Sequence, residues 1–237
     1  MTNSVFTDSL KELGVILDCD TLQKYEIYKD MLVEWNEKFN ITTITEEDEI
    51  YIKHFCDSLS LINTKLFDDK KRVIDVGTGG GFPGLVLKIY NEELDMTLMD
   101  SLNKRIIFLN EVIKNLNLSD VKTIHKRAEE LGIANEHREK YDIAVSRAVA
   151  SLNTLSEYCL PFVKVGGYFI AMKGPDVKEE VEESKNAIDI LGGELESIKE
   201  IKLPYLDITH TLIMIKKVKQ TPNKYPRQQG KPKKNPL

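Results

Sequence analysis

In the stretch Arg72-Val-Ile-Asp-Val-Gly-Thr-Gly-Gly-Gly-Phe-Pro-Gly84, a short apolar run carries one carboxylate, Asp75, into glycines at 77, 79 and 81. These residue types at this spacing suit a bound ligand. Glycine takes up positive φ without a Cβ penalty and lets backbone approach a ligand closely, and Pro83 suits the first turn of a following helix. Twenty-three residues after Gly77, Met96-Thr-Leu-Met ends in Asp100. A carboxylate at that place can accept hydrogen bonds from a nucleoside's ribose hydroxyls, or cap the next helix. Tyr141-Asp-Ile-Ala-Val ends in Ser146-Arg147, two side chains expected to face the crevice beyond the strand ends. Arg147 has the geometry to hold a carboxylate, to hydrogen-bond a guanine O6, or to form a salt bridge.

The elements that must position these groups follow from periodicity. Phe6, Leu10, Leu13 and Leu17 form one helical stripe. After Asp20, a candidate N-cap with Gln23 three residues on, Tyr25, Tyr28, Leu32, Trp35 and Phe39 form a second. A third helix is expected over 54–66. From Arg72 onward strands near 72–76, 95–100, 121–125, 141–146, 166–172, 197–203 and 210–217 alternate with amphipathic segments, which implies an α/β fold with a parallel sheet. The last two strands are joined through 204–209 without a helix. That forces one antiparallel strand, because a parallel pair needs a crossover of a dozen residues or so.

The 237 residues, 41% apolar and 30% charged, fit a soluble globular chain with no membrane-spanning segment, and a cytoplasmic location is expected. Cys19, Cys56 and Cys159 lie far apart without Cys-x-x-Cys spacing, so buried, reduced thiols are expected in place of disulfides or zinc ligands. His54, His125, His137 and His210 show no metal spacing, and none is given a catalytic role. The net charge of −5 conceals an asymmetry: residues 216–237 hold eight basic groups and no acidic one, whereas the other 215 residues hold 25 basic and 38 acidic groups. With Pro222, Pro226, Pro232 and Pro236, this tail is expected to be an extended, mobile arm of the kind that seeks phosphate.

Two nucleotide-cofactor frames fit the glycines. Gly79, Gly81 and Gly84 spell the dinucleotide fingerprint Gly-x-Gly-x-x-Gly. Asp75, Gly77, Gly79 and Gly81 spell acidic-x-Gly-x-Gly-x-Gly, which resembles the first motif of the Rossmann-like S-adenosylmethionine methyltransferases. Placement favours the second, since a dinucleotide loop begins its glycines as the strand ends and Gly77 already stands there. Asp100 serves either cofactor. In such methyltransferases the crossing after the third strand meets adenine, and Ala128 and Glu129 offer the backbone N–H and the acceptor that its edge wants. The Asp/Asn-Pro-Pro-Tyr/Phe clamp of amino-group methylation is missing after the fourth strand, where Ser146-Arg-Ala-Val stands. A ring nitrogen such as guanine N7 suits that absence, because its lone pair attacks without deprotonation.

Asp75 through Gly84, Met99-Asp-Ser-Leu-Asn-Lys-Arg with Phe108-Leu, Ser146-Arg-Ala, Met172-Lys-Gly, and Lys224-Tyr-Pro-Arg-Gln-Gln-Gly to the end together resemble one family. It is the bacterial small-subunit ribosomal RNA methyltransferase G family, also called glucose-inhibited division protein B. Trp35-Asn-Glu-Lys-Phe-Asn-Ile-Thr and His54-Phe-Cys-Asp-Ser-Leu extend the resemblance over essentially the whole chain. It implies a class I fold whose seven-stranded, mostly parallel sheet has an antiparallel last strand. It further implies methyl transfer from S-adenosyl-L-methionine to N7 of guanine 527 in the 16S rRNA of the small ribosomal subunit, or of an assembly intermediate, by a monomer. The cofactor residues are then expected to be Gly77, Gly79, Phe82, Asp100, Ala128, Glu129 and Arg147. The expected organisation is a helical cap (1–70), a methyltransferase domain (71–217) and a basic arm (218–237).

Overall fold

Strands β1 (Arg72–Val76), β2 (Asp95–Asp100), β3 (Val121–His125), β4 (Tyr141–Arg147), β5 (Val163–Lys173), β6 (Gly193–Lys202) and β7 (Thr209–Lys217) form one sheet in the order β3-β2-β1-β4-β5-β7-β6. The computed structural model describes residues 3–147 and 150–237. Neighbours from β3 to β5 are parallel, and β7 runs antiparallel to both β5 and β6. The short β6–β7 link dictates that reversal, as its length requires. The strand order turns back between β1 and β4, so the crevice beyond their carboxyl ends is the natural ligand position.

Val73, Ile74, Asp75 and Val76 are all buried, because helices cover both faces of the central strands. On one face Phe6, Tyr25, Tyr28 and Phe55 share a core with Phe82, Leu85, Phe108 and Leu109. Residues 3–64 therefore pack directly on the helices Gly84–Tyr90 and Asn103–Asn115 that flank the glycine-rich loop. Each large apolar side chain so buried is worth roughly 1.5–3 kcal/mol. On the other face Leu152, Leu155, Val181 and Ile188 from helices Leu152–Cys159 and Lys178–Ile190 cover Ile74, Phe169 and Ile213.

Several local expectations are corrected. The first helix, Ser4–Glu12, stops before Leu13, with Gly14 at φ 71°, so Leu17 lies outside it. The second, Cys19–Phe39, is capped by Asp18, whose side chain accepts from Thr21 N, and Asp20 falls within its first turn. The third helical run covers 47–64 and contains a π stretch, Ile50–Cys56, which carries His54 toward the crevice. Pro83 is the N-cap of Gly84–Tyr90, one place before its first turn. Cys56 and Cys159 are buried but Cys19 is exposed.

The largest correction concerns the tail. Residues 218–237 fold back on the body, with Tyr225 and Pro232 buried and a short helix at Lys231–Lys234. Arg138 donates to the carbonyls of Thr221 (2.7 Å) and Tyr225 (2.8 Å). Arg227 donates from Nε (2.9 Å) and Nη2 (2.6 Å) to the buried Glu157 carboxylate, and its backbone N–H adds a third bond. Prolines restrict helix formation without preventing docking, and carbonyls freed from secondary structure still require partners.

Candidate active site

Asp75 sits in the middle of the sheet and organises the loop that follows. Its Oδ2 accepts from Thr78 Oγ1 and from Gly84 N, both at 2.7 Å, while Oδ1 is buried without a partner among the described residues. Burial pushes the carboxyl pKa up to about 7, against the opposing pull of those two bonds. Most of the loop's N–H groups are spent within the fold: Gly77 and Thr78 donate to Met99 O, Gly79 to Asp100 Oδ2, Gly81 and Phe82 to Thr78 O, and Gly84 to Asp75. A pyrophosphate needs such groups aimed at the ligand, so the dinucleotide frame lacks most of its donors. Gly81, at φ 104°, passes under Tyr28, and a Cβ there would strike the Tyr28 hydroxyl, which itself donates to Gly80 O. The second helix, Cys19–Phe39, thus fixes the crest of the loop.

Beside the loop a cavity of about 270 Å³ opens at the carboxyl ends of β1, β2 and β3, lined by Gly77, Met99, Asp100, Arg105, Ala128, Glu129 and Tyr158 among others. Asp100 is buried; Oδ1 accepts from Leu102 N, and Oδ2 from Gly79 N and Arg105 Nη1. A carboxylate has about four acceptor directions, which leaves one free on a residue that lines the cavity. Ala128 and Glu129 open the helix Ala128–Leu131, so their N–H groups lack acceptors within that helix. Four of the seven residues expected from the sequence, Gly77, Asp100, Ala128 and Glu129, meet at this cavity. Gly79 reaches it through Asp100. Phe82 and Arg147 do not line it.

Arg147 lines a second cavity, of about 700 Å³, together with Ile44, His54, Asp57, Met172, Lys173 and His210. Its Nη1 donates to Asp57 Oδ2 (2.8 Å) and Lys53 O (2.8 Å), and Nη2 meets His54 Nδ1 at 2.9 Å. Three of its five N–H donors are used, leaving two. Phe82 lies beneath this cluster, its ring stacked on His54 at 4.1 Å and facing the Arg147 guanidinium at 5.1 Å. Because Nδ1 of His54 accepts from Arg147, Nε2 carries the proton and donates to Thr42 Oγ1 (2.8 Å). Burial, reinforced by Arg147, holds the His54 pKa well below its ordinary value, so the ring is neutral. Asp57, fully buried, also accepts from His210 Nδ1 at 2.7 Å.

Sequence reading missed Asp57, His54 and His210 as site residues. His54 and Asp57 stand one helical turn apart, which was a usable signal; His210 arrives from β7, about 150 residues away, and had none. Ser146 does not face the crevice: it is buried, and its hydroxyl donates to Val76 O (2.8 Å), tying β4 to β1. Lys104 donates to Phe39 O and Lys173 to Ala150 O, so both are structural ties. Burial raises the Cys159 thiol pKa well above its ordinary value, which argues against a nucleophile. Among the described residues no group of three or more His, Cys, Asp or Glu side chains could hold a metal ion.

The acidic residue and three glycines after β1, the carboxylate ending β2, and a seven-stranded sheet with an antiparallel β7 define a class I S-adenosylmethionine-dependent methyltransferase. Solved structures share the fold at low sequence identity. M. jannaschii TYW2 in complex with AdoMet matches at a TM-score of 0.54 and 15% identity over 68% of this chain and 77% of that one. The [4+2]-cyclase SpnF matches at 0.55 and 14% over 69% and 82%, a reminder that the fold by itself does not fix the reaction. The family model for rRNA small subunit methyltransferase G matches residues 21–209. Proteins of that name from Alkaliphilus metalliredigens and Clostridium perfringens (strain 13) are 57% identical over 98% of both chains and 52% identical over 95% and 94%. The chain belongs to the rRNA small subunit methyltransferase G family and is an S-adenosylmethionine-dependent 16S rRNA guanine-N7 methyltransferase.

Proposed function

We propose that the smaller cavity holds the adenosine of S-adenosylmethionine and that the larger one receives the target guanine. The observation that carries this is the pairing of a nucleoside-sized recess at Gly77, Asp100, Ala128 and Glu129 with an unpartnered, buried Asp75 Oδ1 below the loop. Asp100 takes a ribose hydroxyl, the free N–H groups of Ala128 and Glu129 face adenine, and Asp75 Oδ1 accepts from the ammonium of the methionine moiety. Bound S-adenosylmethionine supplies an electrophilic methyl on a sulfonium.

Guanine N7 attacks through an in-plane lone pair and needs no general base. The protein's task is then to hold the base in line and to exclude water. Arg147, clamped by Asp57 and His54, directs its two remaining N–H groups to guanine O6. His210, whose Nδ1–H is committed to Asp57, is held by that bond against the wall of the same cavity. His54 has both nitrogens engaged and serves as a support.

The reading extends to 16S rRNA within the small subunit or an assembly intermediate, to a monomer, and to the cytoplasm. It is supported by the rim cations Lys53, Lys126 and Arg127 and by exposed apolar side chains scattered over separate elements, such as Ile16, Ile107 and Val165. No described helix is long and apolar enough to cross a membrane.

The test pairs calorimetry with S-adenosylhomocysteine on wild type, Asp100→Ala and Glu129→Pro with mapping of label from methyl-labelled S-adenosylmethionine in unmodified small subunits. Weakened binding in both variants and label at one guanine are expected. Wild-type affinity in both variants would place the adenosine elsewhere.

A further inference from the structure

We infer that the C-terminal strap, residues 218–237, braces the wall of the cofactor site at Ala128 and Glu129 from behind and that Gln228 is a positioning residue for it. The helix Ala128–Leu131 is a single turn, too short to hold its own geometry, since helix nucleation costs more than one turn returns. The strap holds it at both ends. Gln228 Nε2 donates to Glu129 O at 2.6 Å and to Pro226 O at 3.1 Å; two carbonyl acceptors fix that amide's orientation. At the far end a Cβ on Gly132 would meet Pro226 Cγ at 3.0 Å, so the proline ring packs on the helix terminus. Arg138 Nη1 bridges Gly132 O (3.1 Å) and Tyr225 O (2.8 Å).

The strap is itself anchored. Arg227, next to Gln228, is held on the buried Glu157, and Pro232 O accepts from Thr154 Oγ1 at 3.2 Å. Both anchors lie on helix Leu152–Cys159, whose Tyr158 lines the cofactor cavity. A segment that sequence composition assigns to RNA thus also sets the position of the backbone at Ala128 and Glu129.

This inference rests on the adenosine reading, and the experiment separates the two. Full-length wild type, Gln228→Ala and Gln228→Glu are titrated with S-adenosylhomocysteine, and methyl transfer is followed against S-adenosylmethionine concentration. Absence of binding by the wild type defeats the adenosine reading itself. Given wild-type binding, Gln228→Ala is expected to bind about 3- to 10-fold more weakly, the range for one lost orienting hydrogen bond. Gln228→Glu, equal in size but turning an acceptor toward Glu129 O, is expected to lose at least as much. KM for S-adenosylmethionine should rise by the same factor with kcat unchanged, which a general loosening of structure would not give. Wild-type affinity in either variant, or kcat falling in step with affinity, overturns the inference.

Discussion

Asp75→Asn tests the buried carboxyl at the centre of the site. The carboxyl ionises at about 7 in the fold, against 3.8 ordinarily, because burial disfavours its charge. The folded state therefore holds this proton over the window from 3.8 to about 7 in which the unfolded chain has released it. Its contribution to stability is fully present below pH 3.8 and is lost as pH rises to and through 7. At 1.36 kcal/mol per pH unit, ionising this group costs the fold up to about 4 kcal/mol, an upper bound because partial relaxation of the site lowers it. Asparagine keeps the loop: its amide oxygen can accept from Thr78 Oγ1 and Gly84 N as Asp75 Oδ2 does. It carries no charge and puts an NH2 group where Oδ1 has no partner.

Denaturant titrations of both proteins from pH 4 to 8.5 should give a stability difference that moves in favour of Asp75→Asn by about 2–4 kcal/mol as pH rises. Other titrating groups are common to both and cancel. The same substitution should weaken S-adenosylhomocysteine binding by more than about tenfold, because a charge-assisted bond to the ligand ammonium is replaced by two opposed donors. Wild-type binding should itself strengthen as pH rises through about 7. Parallel stability curves would refute the assignment of a buried titrating carboxyl. A normal affinity in the variant would refute the orientation of Oδ1 toward the cofactor.

Other perturbations separate the parts of the site. Arg227→Met should destabilise the protein by about 3–5 kcal/mol by stranding the buried Glu157, and adding Glu157→Gln should restore much of that; calorimetric melting reads both. Gly81→Ala sets a side chain at φ 104° and against the Tyr28 hydroxyl, so cofactor affinity should drop by at least about tenfold and the melting temperature should fall. Asp57→Asn should leave S-adenosylhomocysteine binding near wild type while lowering kcat on rRNA by about 10- to 100-fold, because it loosens Arg147 and His210 together. Equal losses in binding and turnover would return Arg147 to the cofactor. Deleting 218–237 should reduce stability as well as RNA affinity, whereas a free arm would reduce only the latter and flatten its salt dependence.

The sheet and the glycine-rich loop after β1 were legible in the sequence because both are local. An apolar run buried on both faces, glycines at alternate positions and a carboxylate at the next strand's end each leave a short-range pattern. A six-residue link between the last strands could only reverse direction. The ends of the helices were less legible: Asp18 and Asp20 are chemically equal caps, and packing of Tyr25, Tyr28 and Leu32 decides which one begins the turn.

Tertiary structure alone decided three matters. It turned Ser146 inward to Val76 O, although the crevice argument had set it beside Arg147. It brought His210 from β7 onto Asp57 and Asp57 onto Arg147, a cluster assembled from three distant segments whose meeting no local pattern announces. It drew a proline-rich, cationic tail onto the body, since a buried Glu157 and the free carbonyls of the tail gain more from Arg227 and Arg138 than water offers at those places. Composition reports what a segment can dissolve in; only the folded surface determines whether a partner for its charges and carbonyls lies within reach.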